Sequence, residues 1–142
     1  MTDRFNLQRF VDAQRHTYAL AVAELGAGRK RSHWMWYVFP QIEGLGHSDM
    51  ARRYALSGLA EARAYLDHPV LGVRLRACSR LVADIDGRPI EAIFVAPDDL
   101  KFHSCMTLFA QAPPFDPVFN ECLAKYFLAQ PDRSTLAILA RL

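Results

Sequence analysis

Prolines and glycines interrupt this chain so often that no long element can form. Gly26, Gly28, Pro40, Gly44, Gly46, Pro69, Gly87, Pro89, Pro97, Pro113, Pro114, Pro117 and Pro131 mark the breaks. Between them, apolar residues recur at three- and four-residue steps, the pattern of helices that bury one face. Only the aromatic run near Trp34–Phe39 has strand-like composition. It has no partner run to pair with, and so reads as a short helix or turn buried by its aromatics.

The first stripe, Leu7, Phe10, Val11, Tyr18, Ala21, Val22 and Leu25, slips around Gln14–His16, where two helices can meet. Asn6 is its expected N-cap, and Gly26 and Gly28 its expected end. Ser48-Asp49 and Ser57 read as further helix starts, with Glu61 one residue late for a capping box. His68-Pro69 restarts the chain, His68 as a capping or packing residue. Val70, Leu71, Leu75, Cys78, Leu81 and Val82 then form a clean stripe. Later segments open at Pro89, Pro97-Asp98-Asp99, Asp116 and Asp132. The pattern predicts an all-α fold, an irregular orthogonal bundle of about seven or eight short helices.

The 142 residues fit one domain over 1–142 and can bury a core without disulfide or metal staples. Cys78, Cys105 and Cys122 sit in apolar stripes without a C-x-x-C pair and read as buried thiols. The net charge of +2 lacks the basic excess of a nucleic-acid binder. No run approaches the length of a membrane span. No apolar leader follows Met1-Thr2-Asp3-Arg4-Phe5, which predicts a cytoplasmic protein. The five histidines lack the i, i+4 spacing of a zinc site, and phosphate-loop, nucleophile-elbow and EF-hand patterns are missing. Neither a metal nor a cofactor is expected.

Two stretches carry chemistry. In Arg29-Lys30-Arg31-Ser32-His33-Trp34-Met35-Trp36, cations stand beside hydroxyl, imidazole and indole groups. Guanidinium offers phosphate a two-pronged contact, and indole offers a stacking face. Gln41 closes the segment. The bland alternative is a solvated basic loop followed by core tryptophans. The second stretch is Asp98 to Thr107. Asp98 and Asp99 suit a helix start. Lys101, Ser104 and Thr107 fall three apart and share a helix face. An inward lysine beside hydroxyls is equipped for binding or proton transfer.

Ser32-His33-Trp34-Met35-Trp36-x-x-Phe39-Pro40-Gln41, Gly44-Leu45-Gly46-x-Ser48, His68-Pro69-x-Leu71-Gly72-x-Arg74-Leu75 and Asp98-Asp99-x-Lys101-x-x-Ser104-x-Met106-Thr107-Leu108-Phe109 follow one another in order. With them the chain resembles the bacterial family known as domain of unknown function 1810, from Phe5 to about Leu139. Some members bear a calpastatin label for which these residues give no reason. The resemblance implies an all-helical, single-domain fold and no particular activity. Two positions depart from the family pattern: Val95 replaces a usual glycine, and Cys105 a usual serine. More faintly, the order of a Trp-bearing segment and a later helix carrying Lys101 and Met106 resembles the NADAR proteins, helical enzymes that cleave N-glycosidic bonds. That is an analogy of fold, which does not carry function.

The expected function is binding or processing of a small, phosphorylated, nucleotide-like ligand. His33, Asp99 and Lys101 are the candidate catalytic groups. Arg31, Ser32, Trp34, Trp36, Gln41, Ser104 and Thr107 are the candidate ligand contacts. The competing expectation is a non-enzymatic protein-interaction domain in which the same motifs form core. Convergence of the two stretches on one pocket favours the first.

Overall fold

The computed structural model describes residues 2–142. Met1, the first residue of the N-terminal stretch read above, lies outside them. Ten helices are present among the described residues: α1 (Gln8–Gln14), α2 (Tyr18–Gly26), α3 (Met35–Val38), α4 (Asp49–Arg53), α5 (Leu59–Asp67), α6 (Leu71–Ala83), α7 (Ile90–Ile93), α8 (Asp98–Ala110), α9 (Pro117–Phe127) and α10 (Arg133–Arg141). The only β feature described is an isolated parallel bridge between Ile42 and Leu56. The all-helical expectation holds, but the count of seven or eight was too low. The first stripe does break at its slip, into α1 and α2. The four-residue helices α3 and α7 are also too short to show periodicity.

Several ends are capped as their residues dictate. Ser48 accepts from the Ala51 N–H at 3.1 Å, Asp116 from Val118 at 2.9 Å and Asp132 from Thr135 at 3.1 Å. His68 Nδ1 accepts from the Val70 and Leu71 N–H groups at 3.1 and 3.2 Å, opening α6. Two expected caps differ. Asn6 adopts a left-handed φ of 52°, and the acceptors for Leu7 and Gln8 come from Asp3 at 2.7 and 2.9 Å. Ser57 lies one residue before the N-cap Gly58, and its N–H and hydroxyl both donate to Glu61 at 2.9 Å. That offset explains why Glu61 looked one position late.

α8 is the central strut. It packs against α5, α7, α9 and α10, while α6 packs against α2, α5 and α9. Its side chains from Phe102 to Phe109, apart from half-buried His103, are buried. Phe39, Phe94 and Phe102 meet with ring centroids 4.9 to 5.8 Å apart. Rings in such pairs add about 1 kcal/mol each beyond their burial. The cluster ties the segment after Gly28 to the amino-terminal half of α8. The two chemically loaded stretches of sequence are therefore neighbours.

A candidate anion-binding site

The site begins where α2 ends. Gly28 takes a left-handed φ of 84°, and the Arg29 N–H closes back onto the Glu24 carbonyl at 3.1 Å. The chain then passes over Glu24, whose carboxylate is buried. Glu24 Oε1 accepts from the Arg31 N–H at 2.8 Å, the Ser32 N–H at 2.9 Å and the Trp34 indole N–H at 2.9 Å, while Oε2 accepts from the Ser32 hydroxyl at 2.6 Å. Burial alone would raise the pKa of this carboxyl. The hydrogen bonds from Ser32, Arg31 and Trp34 outweigh it and hold the value at about 2. A permanent buried carboxylate thus fixes the shape of residues 29–34.

A second tie comes from the Lys30 N–H, which donates to the Ile93 carbonyl at 2.9 Å. Between loop and α8 lies an open hollow of about 430 Å³. Arg29, Lys30, Arg31 and His33 form one wall; Val95, Ala96, Pro97 and Asp98 form the other. Asp98 is its sole carboxylate. Lys30 Nζ lies 2.8 Å from Asp98 Oδ2 and 5.3 Å from the Trp34 ring centroid. Lys101 Nζ lies 3.6 Å from Asp98 Oδ1 and 5.3 Å from the Trp36 ring centroid. One carboxylate therefore stands between two ammonium groups, each over a tryptophan.

Beyond Pro97 lies a second, smaller hollow of about 290 Å³. Pro97 lines both hollows. Gln41, Leu45, Gly46, Leu100, Lys101, Ser104, Asp132 and Ser134 complete the second.

The candidate residues divide between these places. Arg31 and His33 line the first hollow; Gln41, Lys101 and Ser104 line the second. Trp36 is partly exposed beneath Lys101. Ser32 is held by Glu24, and Trp34 has no exposed surface. Thr107 is fully buried: its hydroxyl donates to the His103 carbonyl at 2.9 Å and accepts from the Asp132 N–H at 2.8 Å. With Ser104, which lies 3.0 Å from Asp132 Oδ2, it docks the start of α10 on α8. Asp99 lines neither hollow, and its Oδ1 is buried without a hydrogen-bond partner. Among the described residues no group of three or more His, Cys, Asp or Glu is placed to hold a metal. Among the described residues no helix is long and apolar enough to cross a membrane.

Glu24, Lys30 and Asp98 were not among the candidates. A carboxylate in the last turn of a helix opposes the macrodipole. That mismatch at Glu24 was the signal, visible in the sequence, that another partner claims it.

A model of the family described as "Protein of unknown function (DUF1810)" matches residues 4–139. No curated protein matches the chain. Among solved structures, the chain is similar to the conserved hypothetical protein Rv1873 from Mycobacterium tuberculosis, with 55% identity and a TM-score of 0.96 over 97% of this chain and 99% of that one. Matched along almost its whole length in sequence and in fold, this chain belongs to the DUF1810 family.

Proposed function

We propose that the protein binds a small phosphorylated, nucleotide-like ligand whose phosphate enters the first hollow. The observation that carries this reading is the gathering of Arg29, Lys30, Arg31 and His33 on one wall facing a single carboxylate. That carboxylate is shared with Lys101 from outside the hollow. The balance is three fixed cations against one acid, at the start of the 13-residue helix α8, whose dipole also favours an anion. Arg29 and Arg31 form no ion pair among the described residues and present their guanidinium forks to solvent.

Binding rather than turnover is the reading these positions support best. His33 lines one hollow, Lys101 the other, and Asp99 neither, so the three candidate catalytic groups are not gathered around one reacting atom. Trp36 is the indole with an accessible surface for a base. The competing protein-interaction reading draws on exposed Phe115 and Leu128, which flank α9, but single exposed apolar residues are ordinary on a soluble surface.

A thermal-shift panel of nucleotides and phosphorylated metabolites tests the reading. A ligand at 100 times its Kd adds about 2.7 kcal/mol of stability. Replacing Arg29 and Arg31 together with alanine should abolish that shift. Silence across the panel, or a shift unaffected by the double variant, would count against an anion site here.

A further inference from the structure

The two hollows share a wall but differ in charge. In the second, the two charged groups are already engaged. Lys101 faces Asp98 and the Trp36 ring. Asp132 serves Ser104, the Thr135 N–H and the Thr135 hydroxyl. The remaining lining offers no unbalanced charge. It consists of Gln41, Ser134 and Gly46 with the apolar side chains of Leu45, Pro97 and Leu100. Gln41 uses its backbone carbonyl to hold Leu56 at 2.9 Å, while its carboxamide makes no hydrogen bond among the described residues.

The surface between the hollows is apolar. Leu100 is 63% exposed and Val95 56% exposed, on either side of Pro97. Cationic hollow, apolar ridge and neutral polar hollow follow one another across a few residues. An inorganic anion would use only the first of these. A long polyanion would need positive charge to continue past Pro97, where the lining is balanced.

We infer that the ridge and the second hollow hold the uncharged, hydroxyl-bearing body of an organic phosphate whose phosphate occupies the first hollow. This rests on the reading of the first hollow as an anion site. The ligand's apolar faces pack on Pro97 and Leu100. Its hydroxyl groups meet an amide and a hydroxyl able both to donate and to accept. Sugar phosphates and nucleotides have this chemistry. Gln41 and Leu100 then set specificity for the body, while Arg29 and Arg31 set affinity for the phosphate.

Calorimetry on the full chain separates the two layers. The probes are inorganic phosphate against ribose 5-phosphate, and inorganic pyrophosphate against ADP. In at least one pair the organic member should bind roughly tenfold more tightly, about 1.4 kcal/mol. Gln41→Ala and Leu100→Ser alter surface positions, so the thermal midpoint should hold. Each should reduce the organic ligand's advantage several-fold and leave the inorganic anion unchanged. Arg29→Ala with Arg31→Ala should weaken both members alike. If organic and inorganic members bind equally, or if the Gln41 and Leu100 variants change both by the same factor, the body subsite is refuted while the anion hollow stands. If no probe binds, both readings fall together.

Discussion

Trp34 donates its indole N–H to Glu24 Oε1 across 2.9 Å in the protein interior. The contact turns the ring inward and leaves Trp36 as the indole nearer solvent. It also makes Glu24 a positioning residue for the basic loop, since the same carboxylate holds the Arg31 and Ser32 N–H groups.

Glu24→Ala leaves the Trp34 indole and two backbone N–H groups without their acceptor. The expected loss is about 3 kcal/mol, read from urea denaturation. The pH dependence has a definite sign. The folded pKa, about 2, lies below the ordinary value of 4.5, so the unfolded chain takes up the proton first. The contribution is therefore complete above about pH 4.5 and is lost as pH falls toward 2. Wild-type stability should drop across that window, and the Glu24→Gln variant should lack that part of the drop. Identical acid profiles for the two proteins would show that the carboxylate does not matter.

Gly72 sits in the first turn of α6, buried against the end of α5. A Cβ there would collide with the Leu66 backbone carbonyl and crowd the Arg76 guanidinium. Backbone cannot yield as a flexible side chain does. Gly72→Ala, normally favourable within a helix, should instead cost about 3 kcal/mol. A thermal midpoint equal to or above wild type would contradict the close approach.

The thiols should be silent in the folded state. Burial pushes Cys78 and Cys122 up to about 12, and pushes Cys105 well above the usual thiol range. The reactive thiolate is scarce at neutral pH and shielded by packing. Labelling by an aromatic disulfide reagent should then proceed only as fast as the chain opens, and denaturant should release all three thiols. Rapid labelling of any one of them in native buffer would overturn this.

Helix stripes and caps were legible because they depend on near neighbours. Ser48, His68, Asp116 and Asp132 cap with residues two or three positions away. The break at Gln14–His16 was legible as a phase slip. The one-turn helices α3 and α7 were marked by their flanking prolines and aromatic run and not by periodicity, because four residues hold no period. At the site, sequence pointed to the Arg29–Gln41 segment and to α8, and these do meet through Phe39, Phe94 and Phe102. It did not divide internal duty from open surface. Ser32, Trp34 and Thr107 have the chemistry of ligand contacts, yet their polar atoms are claimed by Glu24, His103 and Asp132. Asp132 lies 25 residues from Thr107, beyond any local pattern.

Asp98→Asn should move stability and anion affinity in opposite directions. Lys30, with a side chain only 9% exposed, loses its ionic partner, and so does Lys101. Leaving a largely buried ammonium without a counter-charge costs about 2 kcal/mol here, since the pair is not fully desolvated. The first hollow, however, loses its only carboxylate. Removing one negative charge at contact distance near a surface is worth about 1 kcal/mol to an incoming anion. Inorganic pyrophosphate should bind the variant roughly fivefold more tightly at low ionic strength, and the gain should shrink as salt is added. A ligand whose phosphate lay elsewhere would show the loss of stability without the gain in affinity.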